Sequence, residues 1–333
     1  MLKPLATKTA QELLDEPFPS MKWLVKDLIA PGTTLLVGSP KAGKSWFALE
    51  LALSVSLGLP FLDHETRKGP VLYLSLEDKY ERIQRRLFTL VDEANDDLEF
   101  ATMAETLGHG LLIQLEKHFA RKPDTALVVI DTLQKVRDMR TADDAYAVDY
   151  ADLGKIKRFA DEHDSTVILV HHTRKLGDEA NVFNMILGGN GLIGTADEAI
   201  MITKRNYFDQ DAVLSITGRD VDASEHKIRF ENCVWTYIEK TSRDEIVERS
   251  MPATVQATLA FMRQRSADWE GTPSQLADAI EGCDAAASVI GKYLNEYKDF
   301  LAERGVEYSR RRTANARLIS LHLVERPDDQ PVE

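Results

Sequence analysis

The sequence predicts an α/β fold: a mostly parallel central sheet extended by antiparallel hairpins, then a small C-terminal domain of helices and a hairpin. Three observations predict it. Up to Asp197, short apolar runs alternate with amphipathic helical stretches, the pattern of right-handed βαβ units whose sheet is covered on both faces. After Asp197 the runs become short strands separated by turn residues and charges. Beyond Pro252 three helical signals are followed by two apolar patches. A chain of 333 residues accommodates such a division.

The elements follow in order. Residues 1–20 form a polar arm with Pro4, Pro17 and Pro19 and at most one short helix, Thr9 to Leu14. Met21 to Ile29 reads as a short helix or turn that covers the sheet edge. A domain over 21–240 then begins with the strand Thr33 to Val37 and the helix Lys44 to Leu57, stopped by Gly58 and Pro60. Val71 to Leu76 is a second buried strand, and Tyr80 to Glu93 a helix with Ile83, Leu87, Leu90 and Val91 on one face. Residues 94–101 read as an acidic loop and Met103 to Arg121 as a helix. Ala126 to Asp131 is a third strand. Tyr146 to His163 is a helix on the spacing of Tyr150, Leu153, Ile156 and Phe159, and Thr166 to Val170 a fourth strand. Four hairpin strands cover Ala199–Thr203, Ala212–Thr217, Lys227–Phe230 and Val234–Ile238. A charged linker occupies 241–252. The C-terminal domain, 253–325, has helices over Thr254–Arg265, Pro273–Ile280 and Ala285–Glu303, with Thr272 capping the second and Pro273 at its first position. Its apolar patches flank Arg310, Arg311 and Arg312, which places that triplet at a hairpin tip. Three helices and a hairpin outline a winged helix. Residues 326–333 are a tail.

The stretch Gly38-Ser39-Pro40-Lys41-Ala42-Gly43-Lys44-Ser45 fits the phosphate-loop pattern, and its context, strand before and helix after, is what that chemistry needs. The glycines let backbone N–H groups turn inward around a phosphate, and the helix N-terminus adds a favourable field for anions. Lys44 would pair with the β- and γ-phosphates and the Ser45 hydroxyl would hold Mg²⁺. The nucleotide-binding set is therefore the loop from Gly38 to Ser45 together with Trp46.

Other candidates end neighbouring strands. Glu77 follows the second strand, at the sheet edge where ligands bind, and a carboxylate there polarises an attacking water. The competing reading is a helix-capping acid, for which Asp78 is better placed. Asp131 ends an apolar strand, as the Walker B carboxylate that reaches Mg²⁺ does. His171 and His172 are adjacent on a strand end, so they point to opposite faces and do not share one metal. His172 is the candidate γ-phosphate sensor, against the reading of a core histidine. Two loops beside these positions carry cations: Lys135, Arg137 and Arg140 in one, and Arg174 and Lys175 in the other, which also holds Gly177, Gly188, Gly189 and Gly191. They suit nucleic-acid phosphates.

Bulk properties bound the rest. The net charge of −13 excludes a protein that meets nucleic acid with its whole surface, so any such contact is local. Cys233 and Cys283 fit no metal spacing and suggest no oxidising compartment. There is neither a signal-peptide core at the start nor an apolar run long enough for a bilayer, so a cytoplasmic protein without a membrane partner is expected.

Taken together, GSPKAGKS, the strand ending in SLED, LVVIDTLQKV, LVHHTRK, GGNGLIGTADEAIMI and SITGRDVD resemble the RecA-type P-loop ATPases, and among them the RepA-like hexameric replicative helicases of plasmids and phages. The resemblance covers roughly Trp23 to Tyr237. It implies a RecA-like fold, ATP and Mg²⁺ as cofactors, a hexameric homo-oligomer with ATP between neighbours, and single-stranded DNA in a central channel. It makes Glu77 the catalytic glutamate, Asp131 the Walker B aspartate with Ser45 on the metal, and His172 the residue that couples γ-phosphate to the DNA-facing loop. It also implies a basic residue inserted into the neighbour's ATP site. Arg219 is the first candidate, with Lys204 and Arg205 next, although Arg219 could simply pair with Asp220 or Asp222. The tail resembles winged-helix tails of phage and mobile-element replication proteins, with duplex DNA at Arg310–Arg312. No primase motif is present, so a separate primase or initiator protein would act with it. The function expected is an ATP-hydrolysing ring motor on single-stranded DNA. Two alternatives stand beside it: an ATP-controlled DNA-binding switch or helicase loader, and a recombination or repair ATPase.

Overall fold

The computed structural model describes residues 5–138, 145–173, 190–206, 208–241, 246, 251–280, 286–312 and 317–324. The chain divides into two compact units, Met1–Thr241 and Ser242–Glu333.

The first unit opens with α1 (Ala10–Asp15), capped by Thr9 and Glu12 in a reciprocal capping box and with none of its residues buried. Residues 21–29 form a tight turn, one of the two forms expected, closed by Leu24 and Val25 N–H groups on the Ile29 carbonyl, and they bury Leu24, Val25, Leu28 and Ile29. Then come β1 (Gly32–Gly38), α2 (Lys44–Leu57), β2 (Val71–Ser75), α3 (Tyr80–Leu90), β3 (Leu98–Ala101), α4 (Leu111–Arg121), β4 (Leu127–Asp131), α5 (Leu133–Val136), α6 (Ala145–Glu162), β5 (Thr166–His172), α7 (Asn190–Thr195), β6 (Glu198–Thr203), β7 (Asp211–Gly218), β8 (Ser224–Glu231) and β9 (Val234–Thr241).

All nine strands join one sheet in the order β3-β2-β4-β5-β1-β6-β7-β8-β9. The pairs from β3 to β6 are parallel, and β6 to β9 run antiparallel. Alternate residues of β1 feed two cores. Leu36 joins α2 and the 24–30 turn on one face, while Leu35 and Val37 join α4, α5 and α6 on the other. That burial on both faces is why the parallel strands read as unbroken apolar runs.

Several expectations change. Residues 98–101 pair with β2 as an edge strand, where an acidic loop was expected. The helix expected from Met103 starts only at Leu111, with Gly110 at φ 125 before it. On α6, Leu153, Ile156 and Phe159 are buried, whereas Tyr150 is exposed.

The second unit contains α8 (Ala253–Arg265), β10 (Trp269–Gly271), α9 (Pro273–Ala279), α10 (Ala287–Glu296), α11 (Lys298–Glu303), β11 (Val306–Arg312) and β12 (Arg317–Leu323). Its core gathers Val255, Leu259, Met262, Leu276, Ile290, Leu294, Leu301, Ile319 and Leu321. Thr272 and Gln275 form a capping box at α9, with Pro273 at the first position. The third expected helix is two, separated at Tyr297. The added strand β10 pairs with β12, giving a three-stranded sheet β10-β12-β11. The arginine triplet lies within β11, because Arg310, Arg311 and Arg312 stand opposite Ile319, Leu318 and Arg317. It is therefore a strand feature and not a loop tip.

Among the described residues no helix is long and apolar enough to cross a membrane, and no group of three or more His, Cys, Asp or Glu could hold a metal ion.

Candidate functional site

Register places the candidates on one edge. Gly38 of β1 stands opposite His172 of β5, Asp131 of β4 opposite Val170 of β5, and Ser75 of β2 opposite Asp131. The C-terminal ends of β2, β4, β5 and β1 therefore open side by side, as ligand-binding edges of parallel sheets do. Between them is a cavity of about 360 Å³ lined by Lys44, Ser45, Glu77, Asp131, Thr132 and His172, with Trp46, Arg86 and Phe230 on its wall.

The loop leaves β1 and enters α2 through two left-handed residues, Lys41 at φ 64 and Gly43 at φ 98. Gly43 is required twice over. Its backbone favours glycine, and a Cβ there would lie 2.6 Å from the Trp235 ring. The Trp235 indole N–H donates to the Gly43 carbonyl at 3.3 Å, and its backbone N–H donates to Glu50 of α2 at 2.9 Å. The hairpin strand β9 thus buttresses the loop from outside the parallel sheet. Burial pushes the Glu50 carboxyl up to about 7 against that backbone hydrogen bond.

The Lys44 ammonium donates to the carbonyls of Gly38 and Ser39 at 2.8 and 2.9 Å, and lies 3.4 Å from His172 Nδ1. Burial pushes it down to about 8, with the Asp131 and Glu77 carboxylates pulling the other way. Burial and the Lys44 charge together lower His172, so its imidazole is uncharged at neutral pH. His171 points away and is buried, as strand alternation demands.

Asp131 is buried, and burial raises its carboxyl, while hydrogen bonds from the Ser45 hydroxyl and the Tyr73 phenol lower it. The Tyr73 hydroxyl donates to Asp131 Oδ2 at 3.0 Å. Glu77 accepts from the Thr132 hydroxyl at 3.3 Å. Asp78 does not cap α3, whose N-cap is Lys79. Asp78 instead receives Arg82 and Arg86 at 2.6 Å each. Arg86 in turn stands 5.4 Å over the Trp46 ring. A hydroxyl and a carboxylate in contact on the cavity floor form a hard-oxygen donor set that fits Mg²⁺, which is held by few protein ligands and keeps its waters.

The remaining candidates lie elsewhere. Gly218, just before Arg219, stands opposite Glu198, which is level with Thr34 near the start of β1. Arg219 is therefore at the opposite edge of the sheet from its own cavity. It donates to the Gly194 carbonyl at 3.2 Å and lies 3.9 Å from Asp197, so its partner is Asp197 and neither Asp220 nor Asp222. Lys204 stands 5.1 Å over Phe230 and 5.4 Å over Trp235, on the cavity's own side. Arg205 is exposed and lines a separate open cavity of about 670 Å³ with Asp209, Lys227 and Arg229. Lys135 is exposed on α5. In the second unit Arg311 pairs with Glu270 at 2.7 Å, and Arg310 and Arg312 are exposed. Arg140, Arg174 and Lys175, the glycines from 177 to 189 and the tail 326–333 lie outside the described residues.

Sequence reasoning missed Tyr73, Thr132, Arg86, Phe230 and Trp235. Thr132 adjoins a motif residue and was within reach of a positional argument. The others enter through tertiary packing and leave no local signal.

Residues 2–178 match the AAA domain family. Among solved structures, the ATPase domain of G40P superposes with a TM-score of 0.52 at 17% identity, over 63% of this chain and 85% of that one. The structure of a DnaB-like replicative helicase and its interactions with primase matches with a TM-score of 0.50 at 18% identity, over 62% of this chain and 57% of that chain. At these identities the likeness is one of fold, a RecA-like α/β ATPase architecture. The family match spans more than half of the sequence and includes the whole phosphate loop, so the chain belongs to the AAA domain family of nucleotide-binding ATPases.

Proposed function

We propose that the protein is a Mg²⁺-dependent ATPase of the cytoplasm that has no membrane partner, assembles as a ring, and moves along single-stranded DNA as a replicative helicase of a plasmid, phage or mobile element. The observation that supports this most strongly is the convergence of Lys44, Glu77, Asp131 and His172 from four separate strand ends on one cavity.

In this reading the loop N–H groups and Lys44 hold the phosphates of ATP, and the ammonium exchanges its carbonyl partners for phosphate oxygens. Ser45 and Asp131 would hold Mg²⁺, which neutralises phosphate charge when bound. Glu77, steadied by Thr132, takes a proton from the attacking water. His172 touches Lys44 and so reads whether a γ-phosphate is present, and passes that to the segment that begins at Arg174 and Lys175. Arg219 faces away from its own cavity, which suits a residue that serves a neighbouring subunit's site. Lys204, packed on its own cavity's aromatic wall, is less suited to that role, and Arg205 is the remaining alternative. Lys135, Arg174 and Lys175 contact single-stranded DNA, the second unit contacts duplex DNA through β11, and a separate primase or initiator completes the machinery.

The test is ATP turnover with and without single-stranded DNA, together with strand displacement on a forked duplex. Stimulated turnover with displacement is expected, and the double change Arg174→Ala, Lys175→Ala should blunt the stimulation. DNA-dependent turnover without displacement would replace the helicase with a loader or switch, and filaments in place of rings in micrographs would favour a recombination ATPase. For β11, changing Arg310, Arg311 and Arg312 to Ala should flatten the salt dependence of duplex binding. Equal slopes would remove the duplex contact.

A further inference from the structure

We infer that Tyr73 is a positioning residue for the divalent cation: its buried hydroxyl fixes the Asp131 carboxylate so that the oxygen positions left free face the nucleotide cavity. The inference rests on the proposed ATPase site and adds a residue to it.

Tyr73 is central in β2, opposite Val129 of β4, and Asp131 is two residues further along that strand on the same face. The ring is 2% exposed and packs 5.5 Å from Phe100, centroid to centroid, so packing alone holds it in place. Its neighbours Leu72 and Leu74 are aliphatic, as the core demands, and a phenol among them needs a partner for its hydroxyl. That partner is Asp131 Oδ2 at 3.0 Å. A second donor, the Ser45 hydroxyl, holds the same carboxylate. Two donors occupy two of its acceptor positions and stop rotation about the terminal bond, and the rest are directed to the cavity that Asp131 lines. Without the phenol, the carboxylate would lose one of these two donors and would be freer to rotate about its terminal bond. A hydroxyl that served core packing only would have no bearing on the metal.

The experiment uses the full chain with Tyr73→Phe, which keeps the ring and its contact with Phe100, and Asp131→Asn alongside. Binding of a fluorescent ADP analogue is titrated with Mg²⁺, and its affinity is also measured in excess chelator. The expected result is a roughly tenfold rise in the Mg²⁺ midpoint for Tyr73→Phe, the loss of one hydrogen bond to a charged group, with chelator-condition affinity unchanged. Asp131→Asn should shift the midpoint at least as far. A shift for Asp131→Asn with none for Tyr73→Phe would overturn the inference and leave the site intact. Equal weakening of Tyr73→Phe with and without Mg²⁺ would reduce the residue to a structural one and overturn it as well. No shift for either variant would overturn the metal site and the inference together.

Discussion

The two edges of the nine-stranded sheet are built differently. At the edge where β1, β2, β4 and β5 end, Lys44, Glu77, Asp131 and His172 surround an open cavity, and burial pushes the Lys44 ammonium down to about 8. At the edge where β1 and β6 begin, the acidic side chains are buried and bonded to the protein itself, although the second carboxyl oxygen of Glu198 meets no partner among the described residues. Asp197 accepts from the Thr33 backbone and hydroxyl at 3.0 and 2.9 Å and from Lys157, and Glu198 accepts from Ala30 N–H at 3.0 Å. The exception is Arg219, which sits on this finished edge with its side chain 55% exposed and 3.9 Å from Asp197. Under the proposed function, one edge would receive a polyanion and the other would present a cation. In a ring of identical subunits such edges would complete each other.

The largest effect tests the receiving edge. Glu77→Gln keeps the shape of the cavity and removes the proton acceptor, so turnover should fall roughly 100- to 10,000-fold while ATP binding survives. Lys44→Ala should lose triphosphate binding as well. Wild-type turnover in Glu77→Gln would break the assignment.

A smaller effect tests the finished edge. Asp197→Ala removes one of the two acidic partners of Lys157, the other being Asp161, and the acceptor of the buried Thr33 N–H, and should cost on the order of 2 kcal/mol of stability, the range for leaving a buried donor unpaired. Nucleotide affinity measured on the folded protein should not change. A loss of nucleotide binding larger than the loss of stability would mean that the edges are not separate.

The smallest effect is a pH dependence. Burial pushes the Glu198 carboxyl up from 4.5 to about 8. A raised carboxyl binds more protons in the folded than in the unfolded chain, so its contribution is full below about 4.5 and is lost as pH rises through about 8. Glu198→Gln should therefore move the melting temperature little near pH 4.5 and raise it at pH 8. An equal shift at both values would show that the side chain is not held protonated.

How far these edges were legible differs residue by residue. The phosphate loop, β1 and α2 announce themselves, because phosphate binding fixes residue types at fixed spacing. Asp131 and His172 were legible as polar ends of apolar strands. β3 was not, because Leu98-Glu99-Phe100-Ala101 is a short edge strand whose half-polar residues match no fully buried run. The Arg310–Arg312 run looked like a tip, yet pairing with Leu318 and Ile319 and the Glu270 ion pair draw it into a strand. Trp235 could not be assigned to the loop from sequence, since its contact with Gly43 joins residues 192 positions apart, from β9 back to the start of α2. The partner of Arg219 was equally hidden. Local acids at 220 and 222 were the visible choices, and the actual one, Asp197, lies across the β6–β7 pairing.

The central claim is that two edges from two copies make one working site, and mixing two inactive variants tests it most directly. Arg219→Ala has an intact cavity and no presented cation. Lys44→Ala has the cation and no working cavity. Each alone should turn over ATP at least a hundredfold more slowly than wild type, since a trans-acting arginine is worth roughly a thousandfold or more. Mixed before assembly, they should form rings in which a Lys44→Ala subunit offers Arg219 to an Arg219→Ala cavity, and turnover should recover well above the sum of the two. Turnover no greater than that sum, with mixed rings verified, would contradict the account.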